Sequence, residues 1–351
     1  MKEFYILGIY RERIYSNQSV EFDRAILDAS LDRLRFMGKD LGMKVRVERV
    51  RAEDYQYWRW SDFSRYHLIL SMGQSPELLK YLQKFLEQEA SQVSEDAPLS
   101  PFPLLINSPN AIKNCYRLNF SKILFEHGFP YPQFKVVRLS EDHGHMLNLL
   151  REFDGIAEGV WVKRGDFHAL NNQDVIFIND EASFSQVLSH FQQQSVGEII
   201  LQRHICGDVF KFYRISDYHY SYRQLVAEGG GANSSPGPSL PRPLLSKMLE
   251  LSSQVGELLQ LEVFGIDFVV GATGDLYIID VNDWPSFRSC RQKAANAVAA
   301  HALDKCLQAN LYGPKEYTYQ ENLSERTYPY SKVYSDFQTV KYLHRSIPPK
   351  Y

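Results

Sequence analysis

The chain has 351 residues, of which 44% are hydrophobic, 23% charged and 13% aromatic. That mixture excludes a disordered, collagen-like or disulfide-scaffold chain. Because single hydrophobic cores stop growing at roughly 250 to 300 residues, the length implies two or three lobes and a cleft between them. A formal net charge of -3 leaves no basic footprint for a nucleic-acid or anionic-membrane partner, so an anion site must be built from a few placed cations.

No run approaches the roughly 18 apolar residues needed to span a bilayer, and residues 1–10 read as a first strand instead of a signal peptide. Cys115, Cys206, Cys290 and Cys306 are widely spaced, with no zinc or redox pattern. Free thiols in a reducing cytoplasm are the expected state.

In chain order, residues 1–107 alternate strand-like runs (4–10, 45–50, 67–73, 104–107) with helical ones (20–41, 76–90). This is the pattern of a parallel α/β lobe. Within the first helical run Phe22, Ile26, Ala29, Leu34, Met37 and Leu41 recur at helical spacing, and Gly42 stands where a C-terminal cap belongs. A polar loop over 91–103 follows, and Ser108-Pro109 opens a helix expected to run to about His127. That helix begins a second, α+β lobe, 108–196, with strands at 134–139, 160–164 and 175–179 and helices at 143–153 and 182–194. The third section, 197–310, has strands at 199–205, 209–215 and 218–226, and then a loop at 228–243 rich in glycine, serine and proline. That loop reads as a flexible connection, with a lid over the cleft as the alternative. A helix at 244–261, two strands at 264–270 and 276–281 around the hairpin signal Gly271-Ala272-Thr273-Gly274-Asp275, and a helix at 290–309 complete it. The tyrosine-rich tail, 311–351, is expected to pack along the lobes.

The most informative stretch is 263–287, where Asp267 and Asp280 sit inside apolar strands. A buried ionised carboxylate is costly unless it is paired or metal-bound, so both need cations. Asp280 and Asn282 are two apart and share a face, and antiparallel pairing can bring Asp267 beside them. Such converging oxygens are hard ligands suited to Mg²⁺. Turn-capping roles are the plainer alternative, and they fit poorly with Asp267 lying between Ile266 and Phe268.

The segments Phe264-Gly265-Ile266-Asp267 and Ile279-Asp280-Val281-Asn282, with Pro285, resemble the ATP-grasp superfamily over roughly residues 107–309. The likeness is greatest to its inositol polyphosphate kinase branch and to ligases similar to the ribosomal-protein glutamate ligase. It implies an ATP-grasp fold after an N-terminal α/β lobe, with ATP and Mg²⁺ as cofactors and Asp267, Asp280 and Asn282 as the metal site. It further implies Lys163, at the end of an apolar strand, and Arg117 on the nucleotide phosphates, although Lys113 and Lys122 lie on turns next to Arg117. By the same resemblance Gln202, Arg203, His204 and Ile205 form a hinge that hydrogen-bonds adenine through its backbone, and Asp208 accepts from the ribose hydroxyls. Alternation over 209–214 puts Lys211 and Arg214 on opposite faces. The resemblance makes Lys211 the inner cation, on the terminal phosphate or the reacting group.

The loop 164–172 departs from the family pattern, since its single glycine, Gly165, is no glycine-rich phosphate cover. The kinase branch has a histidine where His168 stands, which makes His168 a candidate for an anionic substrate or the transferring phosphate. Arg223, Ser286, Arg288 and Arg291 are candidates for the second substrate, the arginines because a guanidinium grips carboxylate or phosphate in bidentate fashion. Arg223, with Lys211 and His168, is also a candidate catalytic residue. The favoured reading is a ligase that phosphorylates a carboxylate and lets an amine displace the phosphate, the commoner outcome for this fold. Lys211, His168 and the glycine-poor loop lean instead toward a kinase acting on a polyol or inositol phosphate hydroxyl. A nucleotide-binding module without catalysis is disfavoured by the full metal constellation. The expected partner is a small-molecule or peptide acceptor, with no nucleic acid or membrane and no signal for an oligomeric state.

Overall fold

The computed structural model describes residues 3–16, 20–59, 63, 65–92, 103–139, 142–153, 156–167, 172–225 and 240–309. The first of three four-stranded sheets has the order β2-β1-β3-β4, formed by β1 (Glu3–Tyr10), β2 (Lys44–Arg51), β3 (Leu68–Ser71) and β4 (Leu104–Ile106). It is parallel throughout. Parallel strands are buried on both faces, and β1 is apolar on both for that reason. Gly8 lies against Leu27 and Leu31 of helix α1 (Val20–Asp40), while Leu7 and Ile9 pack with Leu78, Leu82 and Phe85 of α2 (Pro76–Gln92).

The single helix expected from Ser108 to about His127 is in fact two. α3 (Pro109–Asn114) starts at Ser108, whose Oγ accepts from the Ala111 amide at 3.1 Å, and α4 (Arg117–Glu126) follows. The break falls at Tyr116, where the backbone is extended at φ -59° and ψ 135°. Its hydroxyl donates to the Gln74 carbonyl at 2.5 Å and its ring lies 5.2 Å from that of Phe167. A continuous helix would carry both groups elsewhere.

The second sheet is antiparallel, in the order β5-β8-β6-β7, built from β5 (Phe134–Arg138), β6 (Val160–Arg164), β7 (Val175–Ile178) and β8 (Glu198–Arg203). Val137, Val160, Val162, Ile199 and Leu201 make its inner face against Met146 and Leu150 of α5 (His143–Arg151) and Phe184 and Phe191 of α6 (Glu181–Gln193). Strand alternation then puts Trp161, Lys163, Ile200 and Gln202 on the opposite face. The third sheet, β10-β9-β11-β12, contains β9 (Gly207–Ile215), β10 (His219–Leu225), β11 (Val263–Gly271) and β12 (Leu276–Asp283). One face of it, Phe210, Phe212, Phe264, Ile266, Phe268 and Ile278, packs with Met248, Val255 and Leu259 of α7 (Arg242–Leu259). The last helix, α8 (Arg291–Gln308), lies against α1 and β10.

Most of the 228–243 loop and the tyrosine-rich tail lie outside the described residues. No helix among the described residues is long and apolar enough to cross a membrane, and all four cysteines are free.

The first and third sheets are joined by the fully buried Asn107. Its Nδ2 donates to the Val263 carbonyl at 2.8 Å, and its Oδ1 accepts from the Glu262 and Val263 amides at 2.9 and 3.0 Å. Asn107→Leu strands the Glu262 and Val263 amides in the interior, while the Val263 carbonyl keeps the Trp284 amide at 3.1 Å, and should cost about 3 kcal/mol, measurable as a lower urea midpoint. A second expectation concerns His219 on β10, where burial, then the charge of Lys293, pulls the imidazole from the usual 6.5 down to about 4. The unfolded chain then binds the extra proton across that window, so stability rises with pH between about 4 and about 6.5 and levels off above it. Urea midpoints taken through this range should show a shallower slope for His219→Gln.

Candidate active site

Strand register builds a charged row across the third sheet. Arg223 of β10 stands opposite Lys211 of β9, Lys211 opposite Asp267 of β11, and Asp267 opposite Asp280 of β12. Opposed residues of antiparallel strands share a face, so two cations and two carboxylates lie side by side. Lys211 Nζ is 3.1 Å from Asp267 Oδ1 and 3.3 Å from Oδ2. Asp280 Oδ2 accepts from Asn282 Nδ2 at 3.2 Å, and Arg117 Nη2 lies 3.8 Å from it. Arg117 is buried at the start of α4 and also donates to the Arg164 carbonyl at 3.2 Å.

The adjacent row runs Ser221, Tyr213, Gly265, Asn282. A Cβ at Gly265 would come within 3.3 Å of Pro285 Cγ, so the glycine lets the segment after β12 turn back over the sheet. Phe287 in that segment sits 5.2 Å from the Tyr213 ring.

The β11–β12 ladder shifts register between Asp267 and Phe268, which pair with Asp280 and Ile278 and leave Ile279 as an extra residue. Such a bulge takes one residue out of the regular ladder. The Ile279 carbonyl accepts from Lys163 Nζ at 3.0 Å, which brings the second sheet down onto the charged row.

Burial raises the Asp267 carboxyl above the ordinary range, with Asp280 adding to the effect and Lys211 opposing it. Burial also pulls the Lys163 ammonium down to about 8, helped by Arg117 and resisted by Asp280 and Asp267. For Lys211 burial acts downward too, but Asp267 outweighs it and the net shift is upward. Among the described residues no group of three or more His, Cys, Asp or Glu is placed to hold a metal. The available donors are two carboxylates and one amide oxygen. An all-oxygen set of that size fits Mg²⁺, which takes one or two protein carboxylates and completes its shell with water and substrate phosphates.

The remaining predicted residues are distributed around the cleft. Gln202 is buried opposite Trp161. The Arg203 and His204 amides donate to the Gln133 and Gly159 carbonyls at 2.9 and 3.1 Å, whereas the Ile205 amide has no backbone partner among the described residues. The Arg203 guanidinium turns outward to Glu158 at 3.1 Å, and His204 Nδ1 accepts from Trp161 Nε1 at 3.0 Å. Asp208 is exposed at the start of β9 and Ser286 is half-buried beside Pro285. Arg288 is exposed and lies 4.0 Å above the Phe22 ring, off the charged row. Arg291 follows Cys290, whose thiol is pushed up by burial against a hydrogen bond from Ser221 and the charges of Lys293 and Arg223. This puts the start of α8 beside Arg223, whose buried Nε has no hydrogen-bond partner among the described residues. His168 lies outside the described residues.

Gly165 serves packing: a Cβ there would sit 2.8 Å from the Glu198 carbonyl oxygen, and its own carbonyl accepts from the Leu118 amide at 2.9 Å. Sequence reasoning missed Arg11 and Gln74 of the N-terminal lobe, which reach the end of β12, and Glu12, which holds the Gln74 amide, contacts that no local pattern announces.

No protein-family model matches the sequence, and no curated protein matches it. Solved structures do share its fold. A D-alanine–D-alanine ligase from Bacillus anthracis, complexed with ATP, superposes with a TM-score of 0.64 at 13% identity, covering 88% of this chain and 100% of that one. A RimK domain ATP-grasp protein from Sphaerobacter thermophilus gives 0.56 at 13% identity, covering 85% and 99%. The ATP-grasp ligase PsnB, complexed with minimal precursor, Mg and ADP, gives 0.55 at 14%, covering 86% and 97%. The chain has the ATP-grasp fold, with a parallel α/β lobe ahead of it.

The charged row makes a definite expectation for stability. Lys211→Met leaves Asp267 facing Asp280 without its ammonium partner and should cost about 3 kcal/mol at neutral pH. The loss should shrink in acid, where Asp267 takes up a proton, and should be largely absent from the Lys211→Met, Asp267→Asn double variant. Urea melts of the four members of the cycle measure it.

Proposed function

We propose that the protein is an ATP- and Mg²⁺-dependent carboxylate–amine ligase that releases ADP. The observation that carries the reading is the in-register row Arg223, Lys211, Asp267, Asp280, closed from the second sheet by Lys163. Bound between Asp267, Asp280 and Asn282, Mg²⁺ would supply positive charge to the nucleotide's phosphate oxygens. Lys163 and Arg117 approach from the second-sheet side and hold the phosphates against the row. The Ile205 amide, without a backbone partner among the described residues, offers a donor to the base. Lys211 then lies where charge develops on the transferring phosphoryl group, and Arg223, one strand further, orients the carboxylate that attacks it. In the first step a carboxylate oxygen bonds to the terminal phosphorus and ADP leaves. In the second an amine nitrogen bonds to the acyl carbon, phosphate leaves and the amine gives up a proton.

The shared fold of the ligases above supports this reading. Transfer to a hydroxyl would draw on the same row, and the experiment separates the two. Pooled amino acids, peptides and polyols are screened for stimulated ADP release, and products are weighed for a gained amide or a gained phosphate. Turnover needing both a carboxylate and an amine is expected; turnover on a polyol alone would select the kinase. Calorimetry should show binding of a non-hydrolysable ATP analogue that strengthens with Mg²⁺, and no binding at about millimolar nucleotide would refute the proposal. Asp280→Asn should lower ADP release by about 100-fold while the ligand-free melting temperature holds or rises, because one of two facing carboxylates is neutralised.

A further inference from the structure

The end of β12 is gripped from the N-terminal lobe. Arg11, just past β1, donates Nη2 to the Asp283 and Trp284 carbonyls at 3.1 Å each and lies 3.6 Å from Asp283 Oδ2. Its Nη1 is anchored on Asp23 of α1 at 3.2 Å. Gln74, past β3, donates Nε2 to Asp283 Oδ1 at 2.6 Å. The Gln74 backbone is itself held on both sides: its amide donates to Glu12 Oε2 at 2.9 Å and its carbonyl accepts from the Tyr116 hydroxyl at 2.5 Å. Glu12, Gln74 and Asp283 are all buried.

These contacts end next to the residues that matter. Asp283 follows Asn282, and Tyr116 precedes Arg117, the partner of Asp280. Trp284, buried, is held at φ 37°, a left-handed conformation that an L side chain rarely adopts. Two carbonyls fixed on one guanidinium account for its staying there.

We propose that Arg11 and Gln74 are positioning residues: through Asp283 and the Trp284 backbone they hold Asn282 and Asp280 in the geometry that takes up the metal–nucleotide complex. This rests on the Mg²⁺-ATP reading above. The probe is a non-hydrolysable ATP analogue, titrated by calorimetry into the full chain with Mg²⁺ and again in EDTA, for wild type, Arg11→Met, Arg11→Lys and Gln74→Met. In metal-free protein, hydrogen exchange of the 283–287 segment is followed in parallel.

In Arg11→Met and Gln74→Met the strengthening by Mg²⁺ should fall about tenfold, while affinity in EDTA stays within about twofold of wild type. Exchange at 283–287 should rise more than in the rest of the chain. Arg11→Lys should recover part of the Mg²⁺ effect. Should Arg11→Met fail to fold, Asp23→Asn loosens the same guanidinium without touching the segment and is expected to give the same pattern at smaller amplitude. A folded variant that keeps the wild-type Mg²⁺ effect, or loses both affinities in proportion to its melting temperature, overturns the positioning role alone. If wild type itself binds nucleotide without any Mg²⁺ effect, the functional reading falls, and unchanged exchange at 283–287 in Arg11→Met would then remove the positioning role as well.

Discussion

Two carboxylates facing each other across one hairpin set the terms for everything around them. The β11–β12 register makes Asp267 and Asp280 direct neighbours, and their repulsion in a partly dry cleft is tolerable only with cations on several sides. Lys211 comes from the neighbouring strand, Arg117 from a helix start on the far side, and Lys163 from another sheet. Each is buried along most of its length, and burial is also why the Lys163 ammonium is held only weakly in its charged form. The three elements are drawn together by one electrostatic demand.

The same demand explains which parts of the site could be read in the sequence. Asp280 and Asn282 lie two apart on one strand, so period two gives their shared face, whereas regular pairing around the turn at Gly274 would set Asp267 opposite Ile279, and only the bulge, which no local pattern announces, brings Asp267 opposite Asp280. The strand and helix order was legible for the same reason, each element carrying its own periodicity. The break at Tyr116 was not, because it serves a carbonyl 42 residues earlier in the chain. Gln74 and Arg11 reach Asp283 across 209 and 272 residues, and nothing near either marks it as more than a loop residue. Direction is equally invisible for long side chains. Arg203 and Arg288 have the residue type for anion recognition, yet Glu158 and the Phe22 ring decide where their guanidinium groups lie.

Glycine shows the limit of composition from another side. A lone Gly165 in the loop after β6 is too little glycine for a phosphate cover, and the structure uses it for close approach to the Glu198 carbonyl. The carbonyl of Gly165 in turn holds the first turn of α4, the helix that presents Arg117. Position next to a candidate phosphate site and service to that site are separable, and only packing distinguishes them.

The bulge at Ile279 separates what the core needs from what the cleft needs. Phe268 pairs with Ile278 on the apolar face and Asp267 with Asp280 on the charged one, so Ile279 is the single residue of β12 that neither row uses. A chain shortened by that one residue would have an uninterrupted ladder, with both rows on their present faces, and would lose the carbonyl that receives Lys163. Ile279 is therefore a spacer that the ladder leaves unpaired, and its backbone carbonyl is the group that meets the second sheet.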